Sequence, residues 1–514
     1  MDQRTGTRGT PPAPGQASRA LPDPLAPGVE SRPGLLRALG LGMAIALVVG
    51  NVIGSGIFYK PGAIANSLGN FPLIIATWVV GGVICALGAL CFAELAAMLP
   101  RAGGLYVYLR EAYGRPVAFL SGWTEFVFGR PASVGVLSVA FILAFGVAID
   151  MEFDIVAGMA LALVLILGMA WVNVIGVIWG GRVQALTTLV KAGFLGLIAV
   201  LPFAVSLFGG DGVSAGNFSS TLPLPKGANW ATQFAAAMLG VMWAYNGWHG
   251  VTPVAEEIRD PGRNIPLAMF GGLGLLIVLY VGANCAYHGV LTMEEISRAD
   301  TNAAQEMVRK LTSDTSGGLT RFAVAAVSAV IMCSTLGAIN SNMLNGPRIS
   351  FAMGRDDVFF RGLGRVHAVY RTPVVAIVVQ AAMSVAIVVG TAAYVASPFH
   401  LRAKAGSLKG MEEVFTILSN FIVFSASLFY MATVAAVIVL RVRRPEWERP
   451  YRTHGYPLVP LLYLAFYGWF LYHVFLGNPR EAITGLVLTA LGVPAYLWYR
   501  IWARANPEDT RDGV

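Results

Sequence analysis

Gly54, Ser55 and Gly56 stand inside an apolar run from Leu39 to Leu68 that is long enough to cross a bilayer. Glycine weakens a helix by about 1 kcal/mol relative to alanine and lets a backbone come close to a ligand, so this triplet opens the helix and frees N–H and C=O groups. In hydrocarbon such orphans are costly, and unwound backbone survives there only where it is buried in protein or lines a polar cavity. The chemistry on offer is reversible binding of a small polar ligand by main-chain donors and acceptors. The competing use of the same residues is a small-residue packing face, which Gly50 and Gly54 satisfy by their spacing. A second interrupted run weighs between the two readings: Trp243-Ala244-Tyr245-Asn246-Gly247-Trp248-His249-Gly250-Val251-Thr252-Pro253 places Asn, Gly and Pro inside the sixth apolar span. Breaks at corresponding places, first and sixth, point to an inverted repeat with a ligand site near the membrane midplane, and favour binding over packing.

Other polar residues sit at membrane depth. Lys191 lies nine residues into the apolar span that begins at Arg182, too deep to reach water, so its ammonium needs partners. The carbonyls freed at the first break and the hydroxyls of Ser334, Thr335 and Ser341 are the candidates. Glu125 and Arg130 share the third span at a five-residue separation that suits a direct α-helical pair poorly, and they read as structural, each bonded to nearby backbone. Glu256, Glu257, Arg259 and Arg263 close the sixth span as a charged loop. His249 and Glu94 read as a packed histidine and as an acid near enough to a basic helix end to find a partner there.

Several function classes are excluded by what these residues do not form. There is no G-x-x-x-x-G-K-[ST] for a nucleotide-driven pump, and the six histidines complete no H-E-x-x-H. Cys85, Cys91, Cys285 and Cys333 all fall in apolar spans without metal-ligand or disulfide spacing, so neither a metal nor a cofactor is expected. Two unlike breaks do not supply the ring of equivalent ligands that a channel filter uses.

The elements that must hold these residues are membrane helices. Of 514 residues 56% are hydrophobic and 12% charged, with a mean hydropathy of +0.65. The expectation is an all-α polytopic membrane protein of about twelve helices, near 39–68, 71–99, 116–149, 154–175, 182–208, 230–255, 264–291, 319–354, 373–396, 411–440, 457–476 and 480–502. The net charge of +8 reports topology and not a nucleic-acid partner, because Arg clusters after the second, sixth, eighth and tenth spans and so places both termini in the cytoplasm. Arg402, Lys404 and Lys409 after the ninth span depart from that alternation. The Pro/Gly/Ala-rich stretch 1–33 reads as a disordered cytoplasmic tail, 34–440 as a ten-helix core in two five-helix inverted repeats, 441–502 as two additional spans and 503–514 as a second tail.

The motifs also carry a resemblance. Gly54-Ser55-Gly56-Ile57-Phe58, the loop Pro100-Arg101-Ala102-Gly103-Gly104-Leu105-Tyr106-Val107-Tyr108, Trp123-Thr124-Glu125 with Arg130-Pro131, Glu256-Glu257 running on to Arg263-Asn264-Ile265-Pro266, and Gly346-Pro347-Arg348 with Ala352-Met353-Gly354-Arg355-Asp356 resemble, in order, the amino acid–polyamine–organocation superfamily, closest to its L-type amino acid transporter branch and bacterial relatives. The resemblance implies secondary transport of amino acids across the plasma (inner) membrane by alternating access. It puts the amides of Ser55, Gly56 and Ile57 on the substrate carboxylate, the carbonyls of Ile53, Trp243 and Tyr245 or Asn246 near its ammonium, and Trp243 over it as a lid. It makes Glu256, Glu257, Arg259 and Arg263 a cytoplasmic gate, and lets the Lys191 ammonium stand where related folds hold sodium. The loop from Ala148 to Asp154 lacks the cysteine by which animal members tether an ancillary subunit, so no disulfide-linked partner is expected and a monomer suffices. No carboxylate lies at midplane in spans one, six, eight or ten, which favours small or medium neutral amino acids, and the resemblance, through Lys191 in the place of sodium, implies sodium-independent exchange of them. A proton-coupled symporter and an antiporter of cationic amino acids or polyamines remain open.

Overall fold

The computed structural model describes residues 35, 37–223, 229–299, 302–313, 317–395 and 410–505, with the side chains of 177–179, 395 and 410–414 excepted. The expected tail 1–33, the last residues of the second tail and the loop with Arg402, Lys404 and Lys409 lie outside the described residues.

The apolar runs fold as helices because a bilayer leaves the backbone no other partner than itself. The first span is α1 (Leu41–Val52), α2 (Gly56–Tyr59) and α3 (Pro61–Leu68). Then follow α4 (Phe71–Met98), α5 (Leu105–Tyr113), α6 (Arg115–Trp123), a π-helical turn over Thr124–Gly129, α7 (Arg130–Ile149), α8 (Ile155–Ile175), α9 (Val177–Leu207) and α10 (Ala215–Phe218). The second half comprises α11 (Trp230–Tyr245), a 3₁₀ turn over Thr252–Glu257, α12 (Pro261–Val290), α13 (Met293–Arg298), α14 (Ala303–Leu311) and α15 (Gly317–Arg355). A 3₁₀ turn at Arg361–Gly364 leads to α16 (Val374–Val395), α17 (Gly410–Arg443), α18 (Leu458–Gly477), α19 (Pro479–Ala490) and α20 (Gly492–Ala505).

Eleven helical segments among the described residues are long and apolar enough to span a membrane, against about twelve expected. The one that falls short is the sixth, because α11 stops at Tyr245. Gly247 adopts φ +102, a left-handed conformation that favours glycine, and the chain then turns irregularly to Thr252. The fold is thus the all-α polytopic architecture with broken first and sixth helices.

α1 packs against α9, α12 and α15, whereas α2 and α3 pack against α11. The two breaks therefore face each other at the centre of the bundle. The π-helical turn in the third span has a local cause. Pro131 has no N–H and its ring would strike the carbonyl four residues back, so the helix widens and the Arg130 amide reaches the Glu125 carbonyl instead. At one end of the bundle lie α13 and α14. α14 buries Ala303, Ala304, Met307 and Val308 and turns Arg309 and Lys310 outward.

Candidate functional site

The site begins with the hydrogen bonds that the breaks release, because each freed carbonyl must end somewhere. At the first break Ile53 turns extended, with ψ 91, and α2 restarts at Gly56. The amides of Ser55, Gly56 and Ile57, first-turn donors of α2, make no backbone hydrogen bond among the described residues. They point the positive end of a half-helix at the space between the two breaks. On the acceptor side Lys191, fully buried, donates to the carbonyls of Gly50, of Ile53 at 2.7 Å and of Ser334 at 3.4 Å. Three ammonium hydrogens thus meet three oxygens. The Ser334 hydroxyl lies 3.1 Å from the Ile53 carbonyl and 3.2 Å from that of Gly54. One turn and two turns back along α9 from Lys191, Thr188 donates to the Ala46 carbonyl at 3.0 Å and Gln184 approaches the same carbonyl at 3.5 Å, so α9 also holds the first half-helix one turn before Gly50.

The second break is tied to the first. Asn51 donates its amide to the Gly247 carbonyl at 2.9 Å, and the Tyr280 hydroxyl lies 3.1 Å from the Val52 carbonyl and 3.0 Å from that of Ala244. Gly56 faces Ala244 so closely that a Cβ there would lie 2.4 Å from the Ala244 Cα. Trp243 brings its indole N–H to 3.4 Å from the Ser55 hydroxyl and meets Phe415 edge to face at 6.2 Å.

Between the breaks lies a cavity with about 520 Å3 of empty space, its open mouth included. Ser55, Gly56, Trp243, Asn246 and Gly247 line it from the two broken helices. Leu137, Ile422 and Ala426 give it an apolar side, and Asn51, Glu125, Arg130, Ser133, Asn342 and Tyr430 a polar one. The polar side is built by the π-helical turn. Its wider winding brings Arg130 Nε to 2.7 Å from Glu125 Oε2, and the guanidinium also reaches Asn342 Oδ1 at 3.3 Å and His249 Nε2 at 3.2 Å. Tyr430 donates to Asn246 Oδ1 at 3.0 Å.

Several expectations change here. Glu125 and Arg130 bond each other directly and line the cavity; the five-residue spacing that an α-helix makes awkward is the one a π-turn closes. His249 is not an isolated packed ring but the far contact of Arg130. The Ile53 carbonyl already carries Lys191 and Ser334, whereas that of Trp243 accepts the Asn246 amide at 3.1 Å and keeps a second lone pair. The main-chain carbonyls of Tyr245 and Asn246 accept no backbone hydrogen bond among the described residues, while the Tyr245 hydroxyl, a different atom, lies 3.3 Å from the Trp78 carbonyl. Ser334 serves Lys191 through its carbonyl. The Thr335 hydroxyl bonds its own helix at Ile331 and Met332, and that of Ser341 accepts from Asn345, so neither reaches the lysine.

At the basic end of the bundle the acids of the expected gate are paired, but with other cations than expected. Glu257 meets Arg348 at 3.0 Å, both fully buried, and Glu256 meets Arg355 at 3.0 Å and the Ala102 amide at 3.1 Å. Arg259, just before α12, and Arg263, in its first turn, are exposed and contribute no ion pair among the described residues. Arg110 and Tyr106 add a second cluster there on Asp356. Burial works against the charged guanidinium of Arg110, yet Asp356 and Glu111 outweigh it and hold its pKa above the usual value. Glu94 pairs with Arg441 at 2.7 Å and accepts the Thr453 amide at 2.7 Å, as its place near that end suggests.

Trp243→Ala removes the indole from both Ser55 and the Phe415 ring, and with it the largest apolar surface over the cavity. The expected result in reconstituted vesicles is a several-fold rise in half-saturation concentration or an equal fall in turnover. Uptake with both parameters at wild-type values would make Trp243 a packing residue.

Two facing half-helix breaks around a central cavity, with paired charges at the basic end, define a helical membrane carrier. The chain belongs to the amino acid permease family, whose profile matches residues 39–496. It is 30% identical to the serine/threonine exchanger SteT of Bacillus subtilis over 471 residues, which are 90% of this chain and 97% of that protein. It is also 30% identical to the Asc-type amino acid transporter 1 of Mus musculus over 486 residues, 93% of this chain and 84% of that one. With the large neutral amino acids transporter small subunit 2 of Mus musculus it shares 28% over 475 residues, 91% and 82% of the two chains. It is an amino acid transporter and not an enzyme.

Proposed function

We propose that this protein exchanges small or medium neutral L-amino acids across the plasma (inner) membrane, without sodium, by alternating access around the two breaks. The observation that carries the reading is the charge inventory of the cavity. Its lining holds one carboxylate, Glu125, and Arg130 neutralises it at 2.7 Å, while Lys191 occupies the oxygen niche behind the first break. A substrate with a cationic side chain finds no free negative partner there. The amides of Ser55, Gly56 and Ile57 take the carboxylate, and Trp243 with Phe415 closes over it. The Arg-rich end is the cytoplasmic one, with both termini on that side, and the Glu257–Arg348 and Glu256–Arg355 pairs keep it shut until the inner vestibule opens. The names of two relatives, an exchanger and a small subunit, agree with exchange and raise the question of a partner chain. The Ala148–Asp154 loop offers no cysteine for a covalent one, and the chain acts as a monomer in this reading.

The test is uptake into proteoliposomes with a competition panel of common amino acids and putrescine, with and without substrate inside, a sodium gradient and a pH gradient. Stimulation by internal neutral amino acid, indifferent to sodium, is expected. Competition confined to lysine, arginine or putrescine would replace the substrate class. Uptake driven by the pH gradient alone would replace exchange with proton symport, for which the buried Lys191 is the one observation in favour.

A further inference from the structure

Resting on the amino acid reading of the cavity, we propose that the Tyr430–Asn246 hydrogen bond is a partition that limits the length of the substrate side chain and so selects the small end of the neutral amino acids. With the carboxylate on the amides of Ser55, Gly56 and Ile57 and the ammonium among the freed carbonyls, those of Tyr245 and Asn246 included, both polar ends of the substrate lie against the broken helices. Its side chain then points to the remaining lining, which α7 and α17 supply through Leu137, Ile422, Ala426 and Tyr430. Beyond that lining is a second, smaller cavity, closed on its far side by Cys85, Met242, Val423 and Tyr467. Asn246, Ala426 and Tyr430 border both cavities, so these three residues form the wall between them. Ala426 is short, and the gap between the other two is closed by the Tyr430 hydroxyl, which donates to Asn246 Oδ1 at 3.0 Å. Protein interiors pack as densely as organic crystals, and a wall with empty space on both faces is held in place by its bonds and not by filling. Tyr430 is buried, its ring meets His249 at 4.7 Å and Trp248 at 6.0 Å edge to face, and its hydroxyl is fixed by Asn246. In the far cavity Ser427 and Tyr467 spend their hydroxyls on the Val423 carbonyl and the Met242 sulfur, which leaves a surface suited to an alkyl chain. A longer aliphatic side chain therefore has a place to go, and the hydrogen-bonded pair stands in its way.

The experiment varies side-chain length on a constant α-amino acid. Uptake of labelled L-alanine into proteoliposomes is competed with unlabelled L-alanine, L-2-aminobutyrate, L-norvaline and L-norleucine, for wild type, Asn246→Gly and Tyr430→Phe. Wild type is expected to need about tenfold or more L-norleucine than L-alanine for half-inhibition, the scale on which a pocket rejects excess methylenes. Asn246→Gly removes one half of the partition and is expected to bring that ratio close to one. Tyr430→Phe keeps the ring but frees it from Asn246, and is expected to lower the ratio several-fold. Because each variant is referred to its own L-alanine value, a loss of folding or turnover common to all substrates leaves the ratio where it was. Tyr430→Phe differs from wild type by one oxygen and carries the test where Asn246→Gly fails to insert. L-norleucine competing as well as L-alanine in wild type, or a ratio unmoved in either inserted variant, overturns the partition and leaves the neutral-substrate reading standing. Failure of wild type to take up L-alanine overturns that reading and this proposal with it.

Discussion

Gly56→Leu is expected to abolish uptake while leaving the protein inserted in the membrane. The cause is steric and lies in the backbone. A Cβ at this position would stand 2.4 Å from the Ala244 Cα, 2.7 Å from its Cβ and 3.0 Å from its nitrogen. Side chains can rotate out of the way, but a main chain cannot, so α2 and α11 must separate. Overpacking of a core costs about 1–3 kcal/mol where neighbours adjust, and here the neighbour is helix backbone. Separation parts the two breaks that Asn51 and Tyr280 hold together and widens the space in which freed amides meet a carboxylate. The sequence alone suggests that a side chain would occupy the ligand's own place; the structure puts the obstruction one layer behind it, against the opposite half-helix. Gly193→Leu, at a position with nothing within 4 Å, is the matched control and should transport normally. Normal uptake by a folded Gly56→Leu protein would remove the first break from the site.

Lys191→Ala should reduce uptake to background, and wild-type uptake should be the same with and without a sodium gradient. The lysine is the donor for carbonyls of Gly50, Ile53 and Ser334, and its loss leaves buried acceptors without hydrogen. Each such orphan costs about 1–3 kcal/mol, so the break loses its anchor on α9. Lys191→Arg tests shape apart from charge, because a guanidinium has a planar fork where the niche presents oxygens to a compact ammonium. A strong sodium requirement in wild type would sink the sodium-independent reading. Full activity in Lys191→Ala would make the lysine a bystander.

Residues 54–56 and 246–253 announced both breaks because Gly, Asn and Pro are conspicuous in apolar spans. Lys191 was equally legible, since a lone deep cation has to find oxygens and the nearest break supplies them. Partners brought together by tertiary packing were not. The α-helical period hid the Glu125–Arg130 pair, although Pro131 was a signal that the helix could not stay regular there. Arg348 and Arg355 stand far along the chain from Glu257 and Glu256, and nothing local favoured them over Arg259 and Arg263. Asn51 looked like an ordinary polar residue in a small-residue run, and only its bond to the Gly247 carbonyl marks it as a tie between the breaks. The hydroxyls of Thr335 and Ser341 were plausible by type and depth, but each turned back to its own helix, as Ser and Thr commonly do in apolar spans.

The π-helical turn also bears on how the chain is made. Glu125 and Arg130 leave the ribosome within the same span, so their charges cancel as that helix enters the bilayer, and the cost of burying two ions is met locally. Glu94 has no such neighbour: its partner Arg441 follows 347 residues later, roughly 20–70 s at ordinary elongation rates. During that interval the acid depends on its place four residues from the end of α4, within reach of water and lipid headgroups. Glu94 waits at the membrane edge, whereas the Glu125–Arg130 pair arrives already matched.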